Sequence, residues 1–205
     1  MSDAPAAPAD DEVTEPLSDR LQAWLEGDGV KSLGALVQTF GPQSFAILFL
    51  VLMAFPALPL PTGGVSHVLE IATLLLALEQ IVGRRTVWLP QRLANRELKA
   101  LTGKFTQALV RRIRWFEQHS KPRFAHLLGW RATGSVLGII VLALTAAAFL
   151  APPFSGLDTL PALGVVVLSL GVLLGDIVVA IVGIVLGAVG VGLVFVLGSA
   201  VLHFL

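Results

Sequence analysis

The chain has 205 residues, of which 55% are hydrophobic and only 14% are charged, and it contains no cysteine. Soluble domains carry charge on about 25% of their residues, so this composition excludes an ordinary soluble enzyme, and the lack of cysteine excludes disulfides and thiolate chemistry. The net charge of zero hides a polarised chain: residues 1–43 hold eight acidic and two basic residues, whereas residues 84–131 hold twelve basic and two acidic ones. We therefore expect an all-α integral membrane protein built as a helical bundle.

Residues 1–14 are acidic and rich in proline and alanine, which predicts a disordered tail rather than a secretory signal. Residues 15–41 contain two stretches in which apolar residues recur at helical spacing, separated by Gly27 and Gly29. These two amphipathic helices could lie on the membrane surface or pack on the bundle, and the sequence does not choose between the two.

Residues 42–83 form the first predicted membrane hairpin. Its first half, residues 44–60, is uncharged and ends in a cluster of helix-breaking residues, namely Pro56, Pro59, Pro61, Gly63 and Gly64. A second helix is expected from near Val65 to Gly83. At about 17–19 residues, both segments are short for spanning helices. Two interpretations therefore stay open, a pair of short spans or a re-entrant hairpin whose tip lies inside the bilayer.

Residues 84–131 are a polar insert in which apolar residues recur every three or four positions between Leu98 and Phe116. This pattern predicts a basic amphipathic helix that either binds anionic lipids at the membrane surface or docks on the bundle. Its position beside membrane helices favours lipid over nucleic acid as its partner. The positive-inside rule predicts that the insert and the N-terminus are cytoplasmic.

Residues 132–176 form the second predicted hairpin, with apolar segments at 133–150 and 159–174 and a break containing Pro152, Pro153 and Gly156. Residues 177–205 are predicted to be a final transmembrane helix. Glycines recur at a spacing of four residues, which favours close helix packing in the bundle or in a homodimer. The pairs are Gly134 and Gly138, Gly171 and Gly175, and Gly183 and Gly187.

An internal repeat relates the two hairpins. A shift of 92 residues aligns residues 61–83 with residues 153–175 without gaps, and it matches prolines and glycines at corresponding positions of the two breaks. Interrupted apolar segments repeated in two halves are typical of a transporter-like site, and broken helix ends can bind ions or anionic head groups. The alternative is a duplicated hairpin with a purely structural role.

Glu70 is the strongest candidate for a functional residue because a charge inside a bilayer is costly and usually functional. It lies within the second apolar helix, and the spacing of three residues places His67 on the same helix face. Such a pair could pass protons or hold a cation. The alternative is a mutually satisfied polar pair that fastens two helices.

The other charged residues near the membrane segments have more ordinary predicted roles. Glu79 is expected to form a structural ion pair with Arg84 or Arg85, and Asp176 to pair with one of these arginines across the repeat. Asp158 is expected to cap the helix that follows it. The two arginines could hold a phosphate, although arginines are common at membrane interfaces.

Motifs of soluble enzymes, such as a Walker loop, GxSxG, HExxH or a dinucleotide fingerprint, are absent from the sequence. Four scattered histidines without cysteine argue against a transition-metal site. We therefore expect no catalytic activity, no cofactor and no metal.

The segment from FPALPLPTGGVS to LLLALEQIVGRRTVWLPQRL resembles the exopolysaccharide synthesis ExoD family of bacterial membrane proteins. The resemblance extends over roughly residues 15–195 and departs from the family pattern at Glu79, at Val87 and around Asp176. It implies a multi-pass protein of the bacterial inner membrane that is linked to exopolysaccharide production. Two functions are consistent with it: transport or handling of an ion or an anionic lipid-linked substrate at the two breaks, or a non-transporting accessory role in a polysaccharide synthesis complex.

Overall fold

The computed structural model describes residues 17–27, 32–59, 64–84, 87–88, 111, 114, 118, 131–152 and 155–203, and only the backbone at residues 17, 33, 42, 131–132 and 198–203. In this part of the chain the structure contains seven α-helices and no strand, which confirms the all-helical class. The helices are α1 (Leu17–Glu26), α2 (Leu33–Phe40), α3 (Ser44–Ala54), α4 (Gly64–Ile81), α5 (Arg131–Leu150), α6 (Thr159–Leu174) and α7 (Ile177–His203). The predicted tail, residues 1–14, and most of the predicted insert lie outside the described residues.

Three helices, α4, α5 and α7, are long and apolar enough to cross a membrane. The helices α3 and α6 are apolar but shorter, with 11 and 16 residues. Helix α3 ends at Ala54, before the end of the predicted apolar block 44–60. Phe55 keeps helical backbone angles, but Pro56 has no amide hydrogen with which to continue the helical hydrogen bonds. One further turn continues past this end, in which the amide of Ala57 donates to the carbonyl of Met53 at 3.0 Å.

Four of the helices form a closed ring. Helix α3 packs against α4 and α6, helix α5 also packs against α4 and α6, and α7 lies outside the ring against α6 and α5. A duplicated hairpin would produce such an arrangement, because exchanging the two halves converts the α3–α6 contact into the α5–α4 contact. The repeat itself stays a prediction.

Helices α4 and α5 are antiparallel, so the last turn of α4 lies beside the first turn of α5 at one end of the ring, and the reverse holds at the other end. At one end the Ser135 hydroxyl donates to the carbonyl of Ile81 at 3.1 Å. At the other end the His67 ring contacts the Phe149 ring, with centroids 5.2 Å apart. The end with Ser135 and Ile81 is called the insert end, because the polar insert follows α4 there. The end with His67 and Phe149 is called the break end, because α3 and α5 lead into the Pro/Gly breaks there.

Helices α1 and α2 pack on the bundle, which is one of the two arrangements that the sequence left open. Their apolar faces form one cluster with the first turns of α3 and the last turns of α6, toward the insert end. The buried members of this cluster are Leu21, Leu36, Phe40, Ala46, Ile47, Leu50, Leu170 and Leu173. Helix α3 is consequently enclosed by protein, and every residue from Ser44 to Leu50 is buried.

Glycines join α6 to α7 at very short range. A methyl group at Gly164, Gly171 or Gly183 would overlap the backbone of the facing helix. Two other members of the predicted glycine pairs differ: Gly134 has open space around it, and Gly175 ends α6 in a left-handed conformation with φ 64°. The described glycine contacts are therefore within one chain, and a homodimer stays a prediction.

Candidate polar site in the membrane bundle

Helix α4 presents its polar residues to the interior of the bundle and its apolar residues to the outside. The buried positions are Ser66, Glu70, Thr73 and Ala77. The large exposed ones are Val65, Val68, Ile71, Leu75 and Leu78. This is the reverse of an amphipathic helix in a soluble protein, and it suits a helix with lipid on one side and a polar site on the other.

The polar site is centred on the pair His67 and Glu70. His67 Nδ1 lies 2.8 Å from Glu70 Oε2, the Glu70 side chain is 0% exposed, and the His67 side chain is 33% exposed. The second carboxyl oxygen, Glu70 Oε1, is buried and has no hydrogen-bond partner among the described residues. The pair therefore links a fully enclosed carboxyl to an imidazole that reaches the surface of the bundle.

Asp158 lies near this pair, although it precedes α6 on the other hairpin. Its negative charge has a weak repulsive effect on the carboxylate of Glu70, smaller than the opposing effect of His67. Such repulsion weakens with distance and with intervening water. The site thus has two acidic groups and one histidine, a balance that attracts protons and cations and repels anions.

The predicted capping role of Asp158 is wrong. The residue occupies the N-cap position of α6, but its side chain makes no capping hydrogen bond. The physical reason is its helical backbone, with φ −67° and ψ −27°, because a capping side chain usually requires an extended backbone.

Thr145 lies at the same depth as Glu70. His67 on α4 and Phe149 on α5 are in contact and so mark one level of the bundle. One helical turn closer to the insert end, α4 carries Glu70 and α5 carries Thr145. Thr145 is fully buried, and its hydroxyl has no partner among the described residues. Sequence reasoning missed this residue because a hydroxyl in an apolar helix carries no charge to draw attention.

The residues of the two breaks surround the site only in part. Pro59, Pro152 and Gly156 are exposed, and Gly156 has a φ of 70° that favours glycine. In the second break the Ser155 hydroxyl donates to the carbonyl of Pro152 at 2.6 Å, and it accepts the amide of Leu157 at 3.2 Å. Helix α4 begins at Gly64. The other candidates in the breaks, Pro61, Gly63 and Pro153, lie outside the described residues.

The remaining charged candidates lie at the insert end. Glu79 forms an ion pair with Arg84, with atoms 3.6 Å apart, and it also accepts the backbone amide of Trp88. Asp176 Oδ1 accepts the amide of Val178 at 2.9 Å and so caps the first turn of α7. Nine residues of α4, about 13 Å, separate Glu79 from Glu70. The pairing of Asp176 with an arginine stays a prediction, since Arg85 lies outside the described residues.

One residue of the insert contacts the acidic helix α1. Arg114 Nη2 lies 2.9 Å from Asp19 Oδ1 and donates to Gln22 Oε1 at 2.6 Å. At this residue the insert docks on protein. Its predicted contact with anionic lipids stays a prediction.

Comparison with known proteins identifies one family. The profile described as "Exopolysaccharide synthesis, ExoD" matches residues 17–196. An uncharacterized protein of Synechocystis sp. is 27% identical over 130 residues, which is 62% of this chain and 59% of the relative. The alignment thus spans less than two thirds of that relative's length. No solved structure matches the chain.

Proposed function

Because the chain belongs to the exopolysaccharide synthesis ExoD family, we propose that it acts in exopolysaccharide synthesis from within the membrane, by passing protons or a small cation through the site formed by His67 and Glu70. Family membership supports the general role. The buried carboxyl in the bundle supports the specific activity.

The observation that carries the proposal is the enclosure of Glu70 in an otherwise apolar membrane bundle. Ionisable groups at such positions cost several kcal/mol and mark proton or ion pathways in many membrane proteins. A pair that served only to fasten helices would satisfy both carboxyl oxygens, because an unpaired buried acceptor lowers stability. Here Oε1 has no partner among the described residues. It is available to a proton, a water molecule or a cation.

His67 gives this carboxyl a connection to the outside. Histidine gains and loses its proton near neutral pH, and the hydrogen bond of 2.8 Å to Glu70 is a direct route for proton transfer. When the imidazole takes up a proton at Nε2, it can give its Nδ1 proton to Glu70 Oε2. A turn of the ring, or a shift of the remaining proton from Nε2 to Nδ1, then restores the starting form.

The charge of the site favours a cation over an anionic lipid-linked substrate. The two carboxylates of Glu70 and Asp158 repel phosphate, and Arg84 lies at the opposite end of α4. Among the described residues, no three His, Asp or Glu side chains gather closely enough to hold a metal ion. A proton or a weakly held monovalent cation fits this arrangement better than a divalent metal.

Exopolysaccharide yield in cells tests the proposal. A strain that lacks the gene is complemented with the wild-type protein, with Glu70→Gln, or with Glu26→Gln as a matched control on the exposed face of α1. At equal amounts of protein in the membrane, we expect Glu70→Gln to lose most of the yield and Glu26→Gln to keep it. If Glu70→Gln gives the wild-type yield, the pair of His67 and Glu70 is only structural, and an accessory function in a synthesis complex is favoured.

A further inference from the structure

Helix α7 extends well beyond the bundle at the break end. Helices α6 and α7 are antiparallel, and each residue of α6 faces a residue of α7 in the same register along the whole contact. The facing pairs are Gly171 and Ala180, Gly164 and Gly187, and Pro161 and Gly190. By this register, Asp158 lies level with Leu193. Helix α7 continues to His203, about 15 Å past the level of Asp158 at 1.5 Å per residue.

The described part of this extension carries large apolar side chains that are exposed. Phe195 is 68% exposed, and Leu197 is also exposed. Apolar surface of this extent is unfavourable in water, whereas it is ordinary in hydrocarbon. A bilayer that covers this surface would reach past the level of Asp158.

Apolar side chains also face outward at the level of the break itself. Val68, next to His67 on α4, is 66% exposed, and Leu150, next to Phe149 on α5, is 72% exposed. The 16 residues of α6 span only about 24 Å, less than the roughly 30 Å of a hydrocarbon core. These exposed apolar side chains and the short α6 favour lipid around the break end of the ring.

The backbone at the break end is polar and not helical. Residues 155–158 form bends and turns, and Ser155 and Gly156 are exposed. Lipid cannot hydrogen-bond such backbone, so at membrane depth it has to be wrapped by protein or bathed by water. Because these residues are exposed, water is the remaining solvent.

We propose that the break end of the ring lies inside the hydrocarbon layer as the floor of a water-filled depression, with α7 as one wall. Resting on the proposed function, we further propose that the site of His67 and Glu70 takes its proton or cation from this depression, opposite the insert. Asp158, on the floor, makes the entrance attractive to cations.

Single cysteines test the depression directly, because the chain has none of its own. Nitroxide labels are attached to Ser155→Cys in the break, to Val68→Cys beside it and to Leu197→Cys on the extension of α7, with the protein in nanodiscs. We expect a water-soluble nickel chelate to reach only the label at 155, and oxygen to reach the labels at 68 and 197. Nickel access to all three labels would place the break end outside the bilayer, and protection of all three would exclude the depression. Pro152→Cys repeats the measurement if Ser155→Cys does not fold.

A second arm tests the side of entry. Ser155→Cys protein in liposomes is modified with a bulky, membrane-impermeant cationic thiol reagent, and proton flux is compared before and after. We expect a severalfold loss of flux, and unchanged flux would overturn entry from the depression. Label accessibility does not depend on flux, so an inactive site and a missing depression give different results.

Discussion

Two antiparallel helix pairs in this bundle are held together in different ways. Between α6 and α7, glycines bring the two backbones into contact. Between α4 and α5, the interior holds Glu70, Thr73 and Thr145, two of which leave an oxygen without a partner among the described residues. Glycine contacts explain the close approach of the first pair, although the buried hydroxyl of Ser169 on α6 also has no partner among the described residues. Buried polar groups with unmet hydrogen bonds lower the free energy of unfolding. The polar groups between α4 and α5 therefore destabilise the protein, and a function for them would explain why they are present.

The largest effect on stability is expected in the glycine pair. A methyl group in Gly183→Ala would overlap the backbone of Leu168, so the helices have to separate, at a cost of about 1–3 kcal/mol or more. In the control Gly192→Ala the new methyl group meets open space, and stability should stay equal or rise by up to about 1 kcal/mol. Thermal unfolding in detergent measures both. Equal melting temperatures for the two variants would contradict backbone contact between α6 and α7.

The polar pair should respond differently to single and double replacement. His67→Ala leaves the Glu70 carboxyl buried without its partner, and we expect a loss of about 1–3 kcal/mol, discounted because His67 is partly exposed. His67→Leu with Glu70→Leu replaces both by apolar groups, which should restore or raise stability while it abolishes exopolysaccharide production. A double variant that is less stable than His67→Ala would show that the pair exists for stability.

A smaller effect on stability is expected at two threonines of similar depth, and only one of the two replacements should stabilise the protein. Thr145→Val removes a buried hydroxyl without a partner among the described residues, and we expect a gain of up to about 1 kcal/mol. Thr73→Val removes a hydroxyl that donates to the carbonyl of Leu69 at 2.9 Å, so no gain is expected. The free energies of unfolding from denaturant titration decide this. A destabilised Thr145→Val protein would reveal a hydrogen bond to this hydroxyl.

The smallest effect is expected at the insert end. Glu79→Gln breaks the ion pair with Arg84, whose side chain is about half exposed, and such pairs contribute at most about 1 kcal/mol. The difference from wild type should shrink further in high salt, since salt screens exposed charges. Melting temperatures at low and high salt measure it. A large, salt-independent loss would instead make Glu79 part of the buried polar system.

The sequence predicts the apolar helices and the central pair well, because both depend on local signals. The helix Thr159–Leu174 is bounded by Asp158 and Gly175, and Glu70 is conspicuous as a charge within an apolar segment. Docking of α1 and α2 could not be predicted, since an apolar helix face fits lipid and protein equally. The capping prediction for Asp158 was wrong because it used a local preference, and the electrostatic effect of Asp158 on Glu70 arises from the packing of two distant hairpins.

Proton flux in liposomes tests the role of Glu70 most directly. Purified protein is reconstituted with a pH-sensitive dye inside, and the decay of an imposed pH gradient is followed with and without a parallel sodium or potassium gradient. We expect the wild type and Glu26→Gln to dissipate the gradient, and Glu70→Gln to be slower by about 100-fold or more, as expected when a proton-transfer group is lost. Wild-type liposomes that behave like empty ones, or Glu70→Gln liposomes that match the wild type, would contradict proton or cation passage through this site.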